Sequence, residues 1–257
     1  MSGADNIAAF TNTKQNSDRN VCQYCLRRAL CLANSLDEEG VDELDLEIKH
    51  PSPIYRRHSA VRAGDRFDRL FIVHLGAFKS YRLYNDGVIQ VSGFHLPGEL
   101  MGLSGMQTGV HRDYIEALGT SSVCELPLAT IEQLIAKRPA LVNLLLSSIS
   151  SEINNDKSMM YLLSRMNAEQ KIASFLLDLS KRSYRSGFAK DCVHLSMMRG
   201  DIANYLGMAV ETVSRVLKRL HDQGVLQIDY RTIYIMDRSA LESLASEAGF
   251  SAVNMAS

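Results

Sequence analysis

The chain has 257 residues, 46% of them hydrophobic and 22% charged, with a net charge of −1. That is enough for two domains with real cores, and it excludes global disorder and any nucleic-acid binding driven by bulk charge rather than by a local patch. No run approaches the roughly 18 apolar residues of a membrane span. The start is Asn-, Ser- and Thr-rich and lacks the apolar stretch of a secretory signal, so the odd count of five cysteines points to a reducing, cytoplasmic setting.

Residues 1–20 are expected to be a disordered tail. The next stretch holds Cys22, Cys25 and Cys31 in a C-x2-C-x5-C run, and Cys124 lies far downstream. Such a run can bend around one ion or cluster, and thiolates suit both zinc and iron–sulfur centres. Ser35 to Leu46 reads as a short helix capped by Ser35, with Leu36, Val41, Leu44 and Leu46 as its apolar residues.

From Ile54 to Leu126 the pattern is one of short strands. Leu70–Leu75 is a dense β-forming run closed by Gly76, and Phe78–Tyr84 and Val88–Phe94 flank the hairpin turn Asn85-Asp86-Gly87. The spacing of turns predicts a small antiparallel barrel or roll, with Cys124 in its last strand. A short helix is expected around Ile131–Lys137. Pro139 then opens a long helix reaching Arg165, in which Leu146, Ile149, Ile153, Asp156, Met160 and Leu163 alternate spacings of three and four. That is a seam for a twin helix, with Asp156 facing its own copy across a two-fold axis and weakening the association. The alternatives are a helix lying on its own domain and an Asp156 that points to solvent.

Asn167–Ser183 reads as an amphipathic helix, followed by a linking loop with Cys192, expected to be a buried thiol. Ser196–Leu220 is a helix-turn-helix: Ile202, Ala203 and Leu206 form one apolar face, Gly207 the turn, and Val213, Val216, Leu217 and Leu220 the next face. The outer face of the second helix carries Glu211, Thr212, Ser214, Arg215, Lys218 and Arg219. Arg215 has the fork that fits guanine, Glu211 can accept from cytosine, Ser214 can meet a thymine edge, and Lys218 and Arg219 suit phosphates. The bland alternative is a solvated face with Glu211 and Arg215 paired. Leu226–Ile228 and Ile233–Met236 form a wing about Tyr230-Arg231. Residues 167–257 hold eleven Lys and Arg against ten Asp and Glu, so the basic footprint is local to this helix and Arg199.

A roll, a long dimer helix and a winged helix with Glu211-Thr-Val-Ser214-Arg215 resemble the CRP/FNR transcription regulators, and the four cysteines are similar to the oxygen-sensing, iron–sulfur branch of that family. The resemblance implies an α+β chain: a cysteine segment and cyclic-nucleotide-binding-like β-roll sensor over 21–138, a dimerisation helix over 139–166 and a winged helix-turn-helix over 167–257. It implies no enzyme. It implies a [4Fe–4S] cluster on Cys22, Cys25, Cys31 and Cys124 that promotes homodimerisation and binding to palindromic TTGAT-type sites in double-stranded DNA without oxygen, to activate or repress. It also implies a contact of Asp86-Gly87 with RNA polymerase.

Rival readings share the framework. A cyclic-nucleotide sensor would use Gly98-Glu99, but Arg112 is followed by Asp113, whose charge opposes a phosphate. A haem sensor would use His74, His95 or His111, and structural zinc would use the same four thiolates. A thiol or iron–sulfur enzyme lacks a phosphate loop, a nucleophile motif or a paired acid.

Overall fold

The computed structural model describes residues 22–49 and 52–246; the expected tail over 1–20 lies outside them. The first described elements are two 3-10 turns, Arg28–Leu30 and Leu32–Ser35, then helix α1, Glu38–Glu47. The cap of α1 is Asp37, whose carboxylate accepts from the Gly40 amide at 2.9 Å, and not Ser35, which closes the preceding turn. Leu36, Val41 and Leu44 are buried as expected, whereas Leu46 is 77% exposed.

Seven strands form the roll: β1 Ser59–Val61, β2 Arg69–Leu75, β3 Phe78–Leu83, β4 Ile89–His95, β5 Leu100–Met101, β6 Tyr114–Ala117 and β7 Ser122–Pro127. They make two antiparallel sheets, in the orders β1-β6-β3-β4 and β5-β2-β7. The continuous apolar run of β2 arises because both of its faces are covered. Phe71 and Val73 point between the sheets with Val61, Phe78, Met101, Ile115 and Val123. Leu70 and Ile72 point outward, onto Cys22, Leu32, Leu36, Val41, Leu44 and Leu126. The cysteine segment and α1 are thus packed on the outer face of the sheet that carries Cys124.

Helix α2, Leu128–Lys137, ends at Arg138, and Pro139 caps α3, Ala140–Arg165. Arg138 binds Asp37 at 2.7 Å and Glu43 at 3.0 Å, fastening α1 to this corner. The 26 residues of α3 span about 39 Å at 1.5 Å per residue. Its buried residues are Leu141 and Leu162, near its two ends.

After a break at Met166-Asn167 comes α4, Ala168–Arg185, opened by a capping box between Asn167 and Gln170. Strand β8 Cys192–His194, α5 Arg199–Tyr205, α6 Val210–Asp222, β9 Leu226–Asp229, β10 Thr232–Ile235 and α7 Arg238–Ser246 complete the described residues. Cys192 is not in a loop and not buried: it opens β8, opposite Tyr234, and is half-exposed. One apolar cluster joins the two halves, since Phe94 and Val91 of the roll pack with Phe175, Leu176, Ile202 and Leu206. Phe94 and Tyr205 meet edge-on, 5.1 Å between ring centroids.

Candidate nucleic-acid interface and thiol site

The pair α5 and α6 is held by a turn at Gly207, whose φ of +60° is the left-handed conformation that favours glycine. A side chain there would also meet Leu163, whose Cδ2 lies 3.2 Å from where a Cβ would sit. Helix α6 buries Val213, Val216, Leu217 and Leu220, a stripe of spacing three and four that leaves Glu211, Ser214, Arg215 and Lys218 on the far side. Its N-cap, Ala209, brings no side-chain oxygen to the first-turn amides, so that end suits an anion.

Arg199, Ser214, Arg215, Lys218, His221 and Ile228 line one open concavity of about 450 Å³. Arg199 donates to Ser214 Oγ at 3.1 Å, and Arg215 donates to Thr212 Oγ1 at 3.2 Å. Arg215 is therefore tied to Thr212 and not to Glu211. Arg219 departs from expectation: its guanidinium is turned onto the Glu169 carboxylate of α4.

His221 and Ile228 are additions to the expected set. His221 lies three residues beyond Lys218, so helical spacing could have found it. Its Nδ1–H donates to the Leu226 carbonyl at 3.0 Å, since a carbonyl can only accept. Tyr230, 88% exposed with φ +50°, forms the wing tip, and the Arg231 guanidinium sits 5.7 Å from its ring.

The thiol site draws on both ends of the roll. Cys22 is buried, and Cys25, Cys31 and Cys124 are half-exposed. Cys124 sits on β7 opposite Ile72, and the Cys22 amide donates to Asp45 Oδ1 at 2.9 Å. Burial pushes the Cys124 thiol up to about 12, helped by the charges of Cys31, Cys25 and Asp45. Burial raises Cys22 further, with Asp45, Cys124 and Cys31 adding to it, and raises Cys31. Cys22, Cys31 and Cys124 are thus electrostatically linked, and burial keeps these three thiols protonated unless a cation draws the protons off. Among the described residues, no three Cys, His, Asp or Glu side chains are placed to share one ion. Four thiols are nevertheless a donor set that suits a sulfur-loving metal centre.

Along α3, Leu146 is 57% exposed, Ile153 49% and Met160 71%; Asp156 is exposed and Ile149 half-buried. Leu163, expected on the seam, lies over the Gly207 turn. Asp86 and Gly87 sit in an exposed hairpin turn, where Asp86 Oδ1 accepts from the Val88 amide at 3.0 Å and Gly87 has φ +82°.

The carboxylates and two of the histidines of the rival readings have other partners, whereas the buried His111 Nδ1 has no hydrogen-bond partner among the described residues. Glu99 is bound by Arg182 of α4 and Asp113 by Arg82. His95 Nε2 lies 2.5 Å from Ser80 Oγ, His74 Nδ1 lies 3.3 Å from Ser122 Oγ, and His111 is buried edge-on against Phe67.

A family model described as a Crp-like helix-turn-helix domain matches residues 170–244, and one described as a cyclic nucleotide-binding domain matches residues 55–138. The chain is 39% identical over 227 residues to the fumarate nitrate reduction regulatory protein of Klebsiella oxytoca, covering 88% of this chain and 91% of that one. It is 42% identical over 224 residues to the transcriptional activator protein Anr of Pseudomonas protegens, covering 87% and 92%. The structure of FixK2 from Bradyrhizobium japonicum matches with a TM-score of 0.68 and 30% identity, over 76% of this chain and 96% of that one.

Proposed function

The chain belongs to the CRP/FNR family of DNA-binding transcription regulators, and on that premise we propose that it is an oxygen-responsive member switched by a [4Fe–4S] cluster on Cys22, Cys25, Cys31 and Cys124. Its relatives are regulators of the anaerobic type and not enzymes. The observation that carries this reading is that Cys22, Cys31 and Cys124, from two distant segments, pack on one apolar cluster, with Cys25 electrostatically linked to Cys31 and Cys124. When bound, the cluster supplies an oxygen-labile redox centre.

This chain's residues do the rest. The Cys22–Cys31 loop and β7 become one rigid unit when their thiolates share a centre. That unit packs on α2 and the start of α3 through Leu32, Leu36, Leu134 and Leu141. From there α3 carries the apolar seam Leu146, Ile149, Ile153, Met160 and Leu163, interrupted by Asp156, to a second copy. Homodimerisation is the output on this side, and a shift of a few kcal/mol suffices for a weak pair.

Two copies of α6 then meet a palindromic site with TTGAT-type half-sites. Arg215, Glu211 and Ser214 read base edges; Thr212 buttresses Arg215; Arg199 and Lys218 hold phosphates. Arg219 takes part through its hold on Glu169. The exposed turn at Asp86-Gly87 contacts RNA polymerase in this reading. No helix among the described residues is long and apolar enough to cross a membrane, which accords with a cytoplasmic regulator.

The test is anaerobic reconstitution with iron and sulfide. A broad visible band that bleaches in air, lost in Cys124→Ser together with dimerisation and retardation of a TTGAT palindrome, is the expected result. A Cys124→Ser protein that still dimerises and binds DNA without oxygen overturns it. A colourless protein that takes up zinc alone points to a structural metal instead.

A further inference from the structure

The cysteine loop touches more than the roll. Arg27, between Cys25 and Cys31, has its backbone amide 3.4 Å from Cys25 Sγ, toward which it donates. The guanidinium of the same residue donates through Nη1 to the Ser186 carbonyl at 2.6 Å and lies 5.8 Å from the centre of the Phe188 ring. Ser186 is the C-cap of α4, where unsatisfied carbonyls and the negative end of the helix dipole favour a cation. Ser186 is itself anchored to the roll, its Oγ donating to the Pro97 carbonyl at 3.2 Å. Leu30 closes the junction by lying against Gly98, where a Cβ would come within 2.5 Å of the Leu30 Cβ.

We propose that Arg27 is a positioning residue that latches the cysteine loop to the C-terminal end of α4, so that the state of the thiol site sets how firmly the DNA-binding half is held within the same subunit. The use of this latch as an oxygen switch rests on the iron–sulfur reading above; the latch itself rests on the contacts. The route is separate from the dimer seam. Beyond the turns Arg28–Leu30 and Leu32–Ser35, the loop has little regular structure, and Tyr24 and Leu26 are 79% and 95% exposed. Its conformation therefore depends on what its sulfurs hold. Helix α4 is an 18-residue rod, and its first turn carries Glu169, which holds Arg219 of the DNA-facing helix. Fixing one end of the rod at Arg27 restrains the other end, where α6 is attached. A planar guanidinium can donate to a carbonyl and lie against a ring at once, which lysine does less well.

The experiment follows amide hydrogen exchange in full-length wild type, Arg27→Ala and Arg27→Lys, each metal-free and after anaerobic reconstitution with iron and sulfide. Residues 183–190 report the latch, and residues 78–83, in the sheet away from the cysteine loop, serve as control. The expected result is that exchange over 183–190 is faster in Arg27→Ala in both forms, by roughly tenfold when loaded, with the control unmoved and Arg27→Lys in between. Cluster absorbance and the dimer constant should match wild type, while affinity for the palindrome falls severalfold. Equal exchange over 183–190 in wild type and Arg27→Ala overturns the latch, and so does acceleration shared by the control segment, which is general loosening. If wild type takes up no iron and sulfide, the oxygen-sensor reading fails, and the metal-free comparison still decides the latch.

Discussion

Glu99 and Arg182 are joined across the boundary between the roll and α4, Glu99 Oε1 accepting from Nε at 2.8 Å and Oε2 from Nη2 at 2.7 Å. Burial by itself would raise the Glu99 carboxyl, but the Arg182 guanidinium outweighs it and holds the carboxyl below the usual range. Arg182 also binds Asp178 at 3.0 Å and the Phe94 carbonyl. The carboxylate that a cyclic nucleotide would need for its ribose is thus committed to a bidentate internal pair. Glu99→Ala should lower stability by roughly 2–4 kcal/mol, because it leaves a largely enclosed guanidinium short of a partner. Denaturant midpoints check this; a change within error would make the pair a surface ornament.

The same junction should make the protein acid-labile. His95 is pushed down to about 4 by burial, with Glu99 opposing and Arg182 assisting. In the unfolded chain it titrates near 6.5. Between those values the unfolded chain binds the extra proton and the folded one does not. Stability is therefore full above about pH 6.5 and falls as pH drops toward about 4, by roughly 3 kcal/mol at about 1.36 kcal/mol per pH unit. Glu99, depressed by Arg182, adds loss in the same direction as pH falls through the carboxylate range. Unfolding midpoints from pH 7.5 to 4.5 should slope for wild type and flatten for His95→Gln; parallel slopes would remove His95 from the account.

What was legible in the sequence is what local chemistry decides. A dense β-forming run placed β2, the Asn85-Asp86-Gly87 turn placed β3 and β4, period-three-to-four patterns placed α3 and α6, and Gly207 marked its turn. What was not legible depends on partners far along the chain. Arg27 and Ser186 are 159 residues apart and Glu99 and Arg182 are 83. Arg219 looks like a phosphate ligand on a helix wheel, and only the placement of α4 turns it onto Glu169. Leu163 fits the seam by spacing, yet it also covers the Gly207 turn. Ser35 and Asp37 both satisfy the rule for a helix cap; the choice between them was made by the 3-10 turn that ends at Ser35.

Asp156 stands between Ile153 and Met160 on an exposed stripe of α3. Glu152, one turn earlier, is raised by burial and then by the charges of Asp156 and Asp113, so carboxylates already crowd this stretch within one chain. A second copy would add more of the same sign. Asp156→Ala should shift the monomer–dimer constant of metal-free protein in air toward dimer, by about tenfold for each 1.4 kcal/mol of repulsion removed. Sedimentation equilibrium reads it. An unchanged constant would take Asp156 off the interface and leave the exposed leucine, isoleucine and methionine without this explanation.

Arg215 and Lys218 share a concavity with Arg199 and His221, yet they should fail differently when removed. Arg215 is held by Thr212 Oγ1, a buttress that orders its fork before DNA arrives. If Arg215 reads guanine as proposed, Arg215→Ala should lose a bidentate contact, at a cost of about 1–3 kcal/mol confined to sites that carry that guanine. Lys218→Ala should instead weaken all sequences alike and reduce the salt slope of log K by about two, because each of the two subunits releases one fewer counterion. Titrations of matched and base-substituted palindromes across a salt series separate the two. If Arg215→Ala weakened every sequence equally, Arg215 would be a phosphate ligand, and base reading by this helix would fall to Glu211 and Ser214.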